Sequence, residues 1–294
     1  MFKGVGTALI TPFDSQGGVD YGALRRICIM QVEAGIDALI VLGTTGESPV
    51  IDIDERRKII ETVSEEAGGK TKIIVGTGTN DTKDVVLLNK IAEEYKTDGV
   101  LVVNPYYNKG TQESLVEHYK YISERTSLPI MLYNVPSRTG MNLLPDTAIR
   151  IHSECRNITS IKEASGSISQ IAELISKKPG TLAVFSGNDD QTLPIMALGG
   201  DGIISVFSNA YPKLMKNLTN AVFQNDMEAA RKFNNAYLGM MNALFVETSP
   251  MPLKYVMNKL GLCENIFRLP LIPVTGKSRA VLDKEMSIIS ELNN

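Results

Sequence analysis

One local pattern occurs eight times in the sequence: a short apolar, β-rich run, followed in most cases by a stretch with helical periodicity. The runs are Val5–Pro12, Ala38–Gly43, Lys72–Gly78, Gly99–Pro105, Pro129–Pro136, Ile158–Ser165, Leu182–Asn188 and Gly202–Asn209. Nearly continuous apolar strands that alternate with helices are typical of a parallel sheet covered by helices. Eight such units predict an α/β fold, a closed (β/α)8 TIM barrel, and an open doubly wound sheet is the alternative.

The strand pattern ends at Asn209, and helical stretches separated by proline-containing turns follow it. They cover residues 213–247, 252–262 and 277–294. No low-complexity segment or Pro/Gly linker separates them from the barrel. We therefore predict a barrel over residues 1–224 and a C-terminal helical region over residues 225–294 that packs on it.

The composition excludes several classes of protein. The chain has 294 residues, a formal net charge of −3 and no tryptophan. Because it also lacks a basic stripe, we expect no nucleic-acid partner. No apolar run reaches the ~18 residues of a membrane-spanning helix, and glycines and a proline interrupt the N-terminal segment where a signal peptide would continue. We expect a cytoplasmic protein, without a membrane partner, that acts on small molecules.

Metal and disulfide chemistry is poorly supported. Two histidines and three widely spaced cysteines form neither a His-rich metal site nor a disulfide framework. His118 and His152 fall in helix-like segments, and a Ser/His/Asp triad would have to recruit one of them. We expect packing or surface roles for both, and no bound metal.

Reactive side chains of a TIM barrel stand at the C-terminal ends of its strands. The side chains at those positions in this sequence are Thr44, Thr45, Tyr106, Tyr107, Tyr133, Arg138 and Lys162. An amine, phenols, hydroxyls and a guanidinium together suit a condensation at a carbonyl group. The sequence therefore points to carbonyl chemistry at one end of the barrel.

Lys162 is unexpected within an apolar strand. Side chains alternate along a strand, so Ser160, Lys162 and Ala164 share one face, and Ile161 and Glu163 share the other. On an inward face the amine is desolvated, which lowers its pKa and gives a neutral nucleophile able to form a Schiff base. The alternative is a lysine that reaches the surface or pairs with a carboxylate.

The neighbouring candidates also allow structural roles. Arg138 can hold a carboxylate in a bidentate grip or form a surface ion pair. The GTTG turn offers the hydroxyls of Thr44 and Thr45 and exposed N–H groups to a carboxylate, or serves only as a turn. Tyr133 can pass a proton to or from an imine nitrogen, or pack as a core tyrosine.

Two residue pairs have simpler explanations. Asp189 and Asp190 lack the histidines that would complete a metal site, so we expect turn and capping roles for them. The tandem Tyr106–Tyr107 suits aromatic packing at a subunit contact, which does not exclude a catalytic role.

The sequence resembles the class I aldolase family of pyruvate-dependent lyases along essentially its whole length. The motifs that carry the resemblance, in order and at the family's spacing, are GVGTALITPF, GTTGES, VNPYYNKGTQESLVEHY, LYNVPSRTG, IKEASG, SGNDD, GGDGIISV and RLPL. The resemblance implies a (β/α)8 barrel with a C-terminal helical region, a homotetramer of two tight dimers, and a reaction without metal or organic cofactor. Within the family, Arg138 in YNVPSRTG favours the branch that condenses pyruvate with L-aspartate-4-semialdehyde in lysine and diaminopimelate biosynthesis.

The resemblance also implies the catalytic roles. Lys162 matches the lysine that forms an imine with pyruvate. Tyr133, Thr44 and Tyr107 match a proton relay in which Tyr107 reaches into the site of the neighbouring subunit.

Four further positions match residues that contact the substrates. Thr45 corresponds to the contact of the pyruvate-derived carboxylate, and Arg138 to that of the semialdehyde carboxylate. Gly187 and Ile204 correspond to residues that line the pocket near the lysine.

The sequence departs from the family pattern in three places. Ser249 replaces a usual asparagine, and Asn104 replaces a common threonine. The third place is the cleft in which lysine-inhibited relatives bind lysine, whose matching positions here are Asn80, Asp84, Tyr106, Ile53 and Arg56. Since a fixed positive charge at Arg56 should repel the amine end of lysine, we predict weak or absent lysine inhibition.

Two other functions remain open. One is a pyruvate-dependent aldolase that acts on a sugar acid, such as an N-acetylneuraminate or 2-keto-3-deoxy-gluconate lyase. The other is a catalytically inactive relative kept as a ligand-binding protein, which the presence of Lys162, Tyr133, Thr44 and Arg138 disfavours.

Overall fold

The computed structural model describes residues 2–292, and eight parallel strands close into one barrel within them. The strands are β1 (Gly4–Ala8), β2 (Ala38–Val41), β3 (Lys72–Gly76), β4 (Gly99–Val103), β5 (Ile130–Asn134), β6 (Ile158–Glu163), β7 (Ala183–Ser186) and β8 (Gly202–Ser205). Each pairs with the next in chain order, and β8 pairs with β1. The predicted TIM barrel is confirmed, and the doubly wound alternative is excluded.

Helices alternate with the strands and continue after the last strand. They are α1 (Tyr21–Glu33), α2 (Ile53–Ala67), α3 (Thr82–Glu94), α4 (Gln112–Ser123), α5 (Pro136–Thr139), α6 (Pro145–Glu154), α7 (Ile168–Lys177), α8 (Thr192–Ala197), α9 (Pro212–Phe223), α10 (Met227–Ala243), α11 (Met251–Lys259) and α12 (Gly276–Leu292). Local signals start several of them: Asp52 and Glu55 form a capping box on α2, and Pro145 and Pro212 occupy the first turns of α6 and α9. Within residues 2–292 no helix is long and apolar enough to cross a membrane.

The strands end earlier than the apolar runs in the sequence. The first run continues to Pro12, whereas β1 ends at Ala8; the last continues to Asn209, whereas β8 ends at Ser205. Short 3-10 turns follow: Phe207–Asn209 is the last part of its run, and Thr44–Gly46 and Asp189–Gln191 begin directly after theirs. These turns, rather than the strands, form much of the C-terminal end of the barrel.

The first helical stretch after the barrel is two helices rather than one. Asn225 between α9 and α10 has a φ of 59°, and the Asp226 side chain accepts a hydrogen bond from the Ala229 N–H at 3.0 Å. A left-handed residue followed by an N-cap ends one helix and starts the next. Helix α10 packs on α9 and α12, and the division at residue 224 stays a prediction.

Two apolar layers hold the fold together. The outer layer, between the sheet and the helices, includes Ile158 and Ile161 of β6. The inner layer fills the barrel and consists of Ala8, Ala38, Ile40, Ile74, Leu101, Met131, Tyr133, Val135, Ala164, Phe185 and Ile204. Because the barrel interior is packed, reacting molecules have room only at its C-terminal end.

Candidate active site

Lys162 points into the barrel. Its side chain is only 5% exposed, and Ala164, on the same face, belongs to the inner apolar layer. The β5–β6 register places Tyr133 beside Lys162, and Nζ lies 4.2 Å from the centroid of the Tyr133 ring. None of the ion pairs within residues 2–292 involves Lys162, so its amine is held against an aromatic face and not by a carboxylate.

Gly187 makes room for the lysine. A Cβ at this position would lie 3.1 Å from Lys162 Cε and 2.6 Å from Ala164 Cβ, which is too close for a side chain. Ile204 is fully buried in the inner layer, and from the end of β8 it is Val206 that reaches the cavity wall. The lysine therefore lies between a required glycine and an apolar floor.

A cavity of about 380 Å³ opens above the lysine amine. Six of the predicted catalytic and substrate-binding residues line it, namely Thr44, Thr45, Tyr133, Arg138, Lys162 and Gly187. A second cavity of about 230 Å³ shares Thr44, Tyr133 and Arg138 with the first and extends to Tyr106 and Arg56. The fold thus gathers residues from five strand ends, those of β2, β5, β6, β7 and β8, around the first cavity.

Tyr107 does not join the site of its own chain. It is 90% exposed and has a φ of 71°, in the left-handed region that non-glycine residues rarely adopt. Tyr106, in contrast, lines the second cavity beside Thr44. The predicted role of Tyr107 in a neighbouring subunit stays a prediction.

The threonine pair stands on a tight turn after β2. Thr44–Gly46 form a 3-10 turn in which the Gly46 N–H donates to the Gly43 carbonyl at 3.0 Å. The Thr11 hydroxyl donates to the Gly46 carbonyl at 2.7 Å. Both threonines line the cavity that also holds Lys162.

Arg138 lies on α5 at the open side of the cavity. Its side chain is exposed, and Nη2 donates to the carbonyl of Ser249 at 3.1 Å. Ser249 belongs to the loop between α10 and α11, so the C-terminal helical region supplies part of the cavity wall. The guanidinium is thereby held at the entrance with donors left for a carboxylate.

The sequence matches the dihydrodipicolinate synthetase family over residues 1–289. The chain belongs to this family. A 4-hydroxy-tetrahydrodipicolinate synthase of Fervidobacterium nodosum is 45% identical over 293 residues, covering 100% of both chains. The crystal structure of dihydrodipicolinate synthase from Thermotoga maritima is 48% identical, covers 98% of each chain and has a TM-score of 0.96. A monomeric dihydrodipicolinate synthase variant is 47% identical, with 98% of this chain and 96% of that chain covered and a TM-score of 0.96.

Asn104, where the family commonly has threonine, has a structural role. Its carboxamide Nδ2 donates to Asn134 Oδ1 at 3.1 Å, and its Oδ1 accepts from the Tyr119 hydroxyl at 2.8 Å. Asn134 in turn donates to Glu163 at 3.0 Å, and burial raises the pKa of Glu163. This network joins the end of β4 to the outward-facing last residues of β5 and β6, and so braces the strands that present Tyr133 and Lys162.

Asp189 does more than the turn role that the sequence predicts. It is 1% exposed and accepts hydrogen bonds from Ser205 Oγ at 2.6 Å and from the N–H groups of Val206 and Phe207 at 3.0 and 3.1 Å. Burial raises its pKa to about 6. It ties the end of β7 to the end of β8, and no cluster that could hold a metal ion occurs within residues 2–292.

The five predicted regulatory positions are not gathered in one cavity of this chain. Arg56 and Tyr106 line the second cavity, whereas Ile53, Asn80 and Asp84 lie outside it. Arg56 is 8% exposed, donates to the Ser48 carbonyl and to Ser48 Oγ at 2.5 and 2.9 Å, and donates to the Ile51 carbonyl at 3.2 Å. Burial lowers the pKa of Arg56.

Proposed function

We propose that this chain carries out the 4-hydroxy-tetrahydrodipicolinate synthase reaction, condensing pyruvate with L-aspartate-4-semialdehyde on the route to lysine and diaminopimelate. The observation that carries the proposal is the buried Lys162 amine against the Tyr133 ring, in a cavity also lined by Thr44, Thr45 and Arg138. Full-length relatives bearing that enzyme's name support it. We assign the site one nucleophile, Lys162, and two separate places for carboxylates, as a condensation of two acids requires.

The first half of the proposed reaction activates pyruvate. The Lys162 amine adds to the ketone carbon, and loss of water leaves an imine between the lysine nitrogen and that carbon. The protonated imine lies over the face of Tyr133, where the ring stabilises a cation. It withdraws electrons from the adjacent methyl group, so loss of a methyl proton gives an enamine and no metal or organic cofactor is needed.

The second half forms the carbon–carbon bond and releases the product. The enamine carbon attacks the semialdehyde carbonyl, whose oxygen takes up a proton and becomes a hydroxyl. The substrate's own amine then adds to the imine carbon and displaces the Lys162 nitrogen, which closes the ring and restores the enzyme. We assign the proton transfers to Tyr133, Thr44 and a Tyr107 from a neighbouring subunit.

The two substrate carboxylates are assigned to opposite sides of the cavity. Thr45 and the turn after β2 offer a hydroxyl and N–H groups near Lys162, which suits the pyruvate carboxylate. Arg138 stands at the entrance and suits the carboxylate of the semialdehyde, which arrives second. Gly187 keeps the space beside the Lys162 side chain free, while Val206 lines the same cavity and Ile204 lies in the inner apolar layer.

We also propose a homotetramer of two tight dimers in the cytoplasm. The exposed Tyr107 supports a tight dimer, because its phenol has no place in its own chain's cavity. The three cysteines, Cys28, Cys155 and Cys263, are unpaired and buried, which suits a reducing compartment. Analytical ultracentrifugation across a range of concentrations tests the assembly, and a monomer at assay concentration would contradict it.

Trapping with borohydride tests the function. The protein is treated with pyruvate and borohydride, digested, and analysed by mass spectrometry, and we expect a reduced pyruvate adduct on Lys162. Lys254 is the matched control, since it is equally buried but ion-paired. An adduct elsewhere, or none, would overturn the Schiff-base mechanism.

Substrate identity needs a separate measurement. Turnover of pyruvate with L-aspartate-4-semialdehyde is compared with cleavage of N-acetylneuraminate and of 2-keto-3-deoxy-gluconate. We expect turnover only in the condensation. Faster cleavage of either sugar acid would replace the proposed substrates while leaving Lys162 as the nucleophile.

A further inference from the structure

The turn after β2, residues 42–50, adopts a demanding backbone conformation. Leu42 and Glu47 flank the threonine pair with φ values of 58° and 54°. Residues other than glycine rarely adopt this left-handed backbone conformation, and they keep it only when surrounding contacts stabilise it. Something beyond the local sequence must therefore hold the turn in place.

A buried ion pair holds Glu47. Its carboxylate accepts a hydrogen bond from Lys254 Nζ at 2.5 Å, and the side chains are 1% and 0% exposed. Lys254 also donates to the Ile266 carbonyl at 3.0 Å and lies 4.1 Å from the centroid of the Phe13 ring. The lysine is thus fixed on several sides, and it comes from α11, far from the turn in the sequence.

Two arginines hold the rest of the turn. Arg268 Nη1 donates to the Val50 carbonyl at 2.8 Å, and its guanidinium pairs with Glu55 at the start of α2. Arg56 donates to Ser48 on the other side. Lys254 and Arg268, both from the C-terminal helical region, therefore grip the segment that carries Thr44 and Thr45.

Stability alone explains this arrangement poorly. Burying an ion pair removes both charges from water, and well-packed apolar residues often serve a fold equally well or better. A charged pair with further hydrogen bonds does, however, restrict its partners to one geometry. A substrate-binding turn gains from such restriction, since a misplaced donor weakens binding and catalysis strongly.

We propose that Lys254, acting through Glu47, is a positioning residue that fixes the turn after β2 for the pyruvate carboxylate. This inference rests on the proposed function, because it takes Thr45 and the turn's N–H groups as the pyruvate site. It makes the C-terminal helical region part of the substrate-binding machinery, together with the Arg138–Ser249 contact.

Three variants test the inference: Glu47→Gln, Lys254→Met and the double variant. Borohydride trapping on Lys162 is measured against pyruvate concentration, alongside the melting temperature and the KM of each substrate. We expect the half-saturating pyruvate concentration to rise at least about tenfold in each variant, with the semialdehyde KM changed less than about twofold. The double variant carries no unpaired buried charge, so it should regain melting temperature without regaining pyruvate affinity.

Asp37→Asn provides the matched control. Asp37 pairs with Lys216 at 2.8 Å and accepts from the Val5 N–H, at the opposite end of the barrel. We expect this variant to lose melting temperature and keep the wild-type pyruvate response. If a Lys254→Met chain does not fold, Glu47→Gln, which conserves side-chain size, gives the same comparison.

The outcomes separate the two proposals. If the wild-type protein forms no pyruvate adduct on Lys162, the proposed function fails. If it does, and the three variants saturate with pyruvate as the wild type does, the positioning role is wrong and the pair only supports the fold. A pyruvate response that recovers together with melting temperature in the double variant also contradicts the inference.

Discussion

The two sides of the cavity are positioned in different ways. At β5 and β6 the sheet positions the side chains directly, because Tyr133 and Lys162 are paired in register on adjacent strands. At β2 the sheet ends at Val41, and Thr44 and Thr45 stand on a turn that Lys254 and Arg268 hold from distant parts of the chain. A strand sets the direction of its side chains by local geometry, whereas a side chain on this turn depends on contacts between residues far apart in the sequence.

The largest expected effects come from two separate variants, Lys162→Ala on the strand-borne side and Tyr107→Ala after β4. Loss of the nucleophile should lower kcat by at least about 10³-fold, and loss of Tyr107 by roughly 10²-fold or more. If Tyr107 acts in a neighbouring subunit, mixed oligomers of the two inactive variants contain sites with both residues intact. Such hybrids, co-expressed with two tags and purified through both, should recover a large part of one site's activity.

The matched control for the hybrids is a mixture of Lys162→Ala with Tyr133→Phe. Both residues belong to the site of the same chain. Every site in the mixed oligomer therefore lacks either Lys162 or the Tyr133 hydroxyl, and no recovery is expected. Equal recovery in both mixtures would exclude a role for Tyr107 across a subunit interface.

A second test sets the strand directly against the turn. Tyr133→Phe and Thr44→Val each remove one hydroxyl and keep the side-chain shape. If the two hydroxyls serve one relay, each change should lower kcat by roughly 10²-fold, and the double variant should lose little more than either single one. Fully multiplicative losses in steady-state assays would mean that strand and turn act independently.

The difference between the two sides also limits what the sequence could predict. Strand periodicity put Lys162 on one face with Ser160 and Ala164 without deciding whether that face is inward, and the strand ends identified Tyr133 and Arg138, because alternation and strand order are local properties. No local pattern pairs Glu47 with Lys254, 207 residues later. The break at Asn225 was missed as well, since one left-handed residue interrupts an otherwise helical pattern without changing its polarity.

His118 is a buried titratable group that lines neither of the two active-site cavities. It lies on α4, its Nδ1 is 2.9 Å from Thr82 Oγ1, and burial lowers its pKa to about 4. The unfolded chain therefore binds this proton at a higher pH than the folded chain. The stabilisation is present above the ordinary pKa near 6.5 and is lost as pH falls toward 4, by up to about 3 kcal/mol.

Urea unfolding across pH 4 to 7 measures this effect. We expect His118→Gln to have a shallower dependence of the free energy of unfolding on pH in that window, and a wild-type kcat at pH 8. Parallel pH curves for the two proteins would show that another group titrates there. A lower kcat at pH 8 would instead show that His118 on α4 influences the active site.

The smallest expected effect is the response to lysine, which depends on Arg56 at the back of the turn. Its guanidinium is buried and donates hydrogen bonds to Ser48 and Ile51, and it forms no ion pair with a carboxylate within residues 2–292. A lysine ammonium 5 to 6 Å from that charge would be repelled by about 3 kcal/mol at an effective dielectric constant near 20. That repulsion weakens binding more than 100-fold, so millimolar lysine should change the steady-state rate less than about twofold.

Arg56→Gln removes the charge and keeps a donor toward Ser48, and it should increase sensitivity to lysine. Strong inhibition of the wild-type protein by submillimolar lysine would show that lysine binds away from Arg56 and that the Arg56 charge does not prevent inhibition.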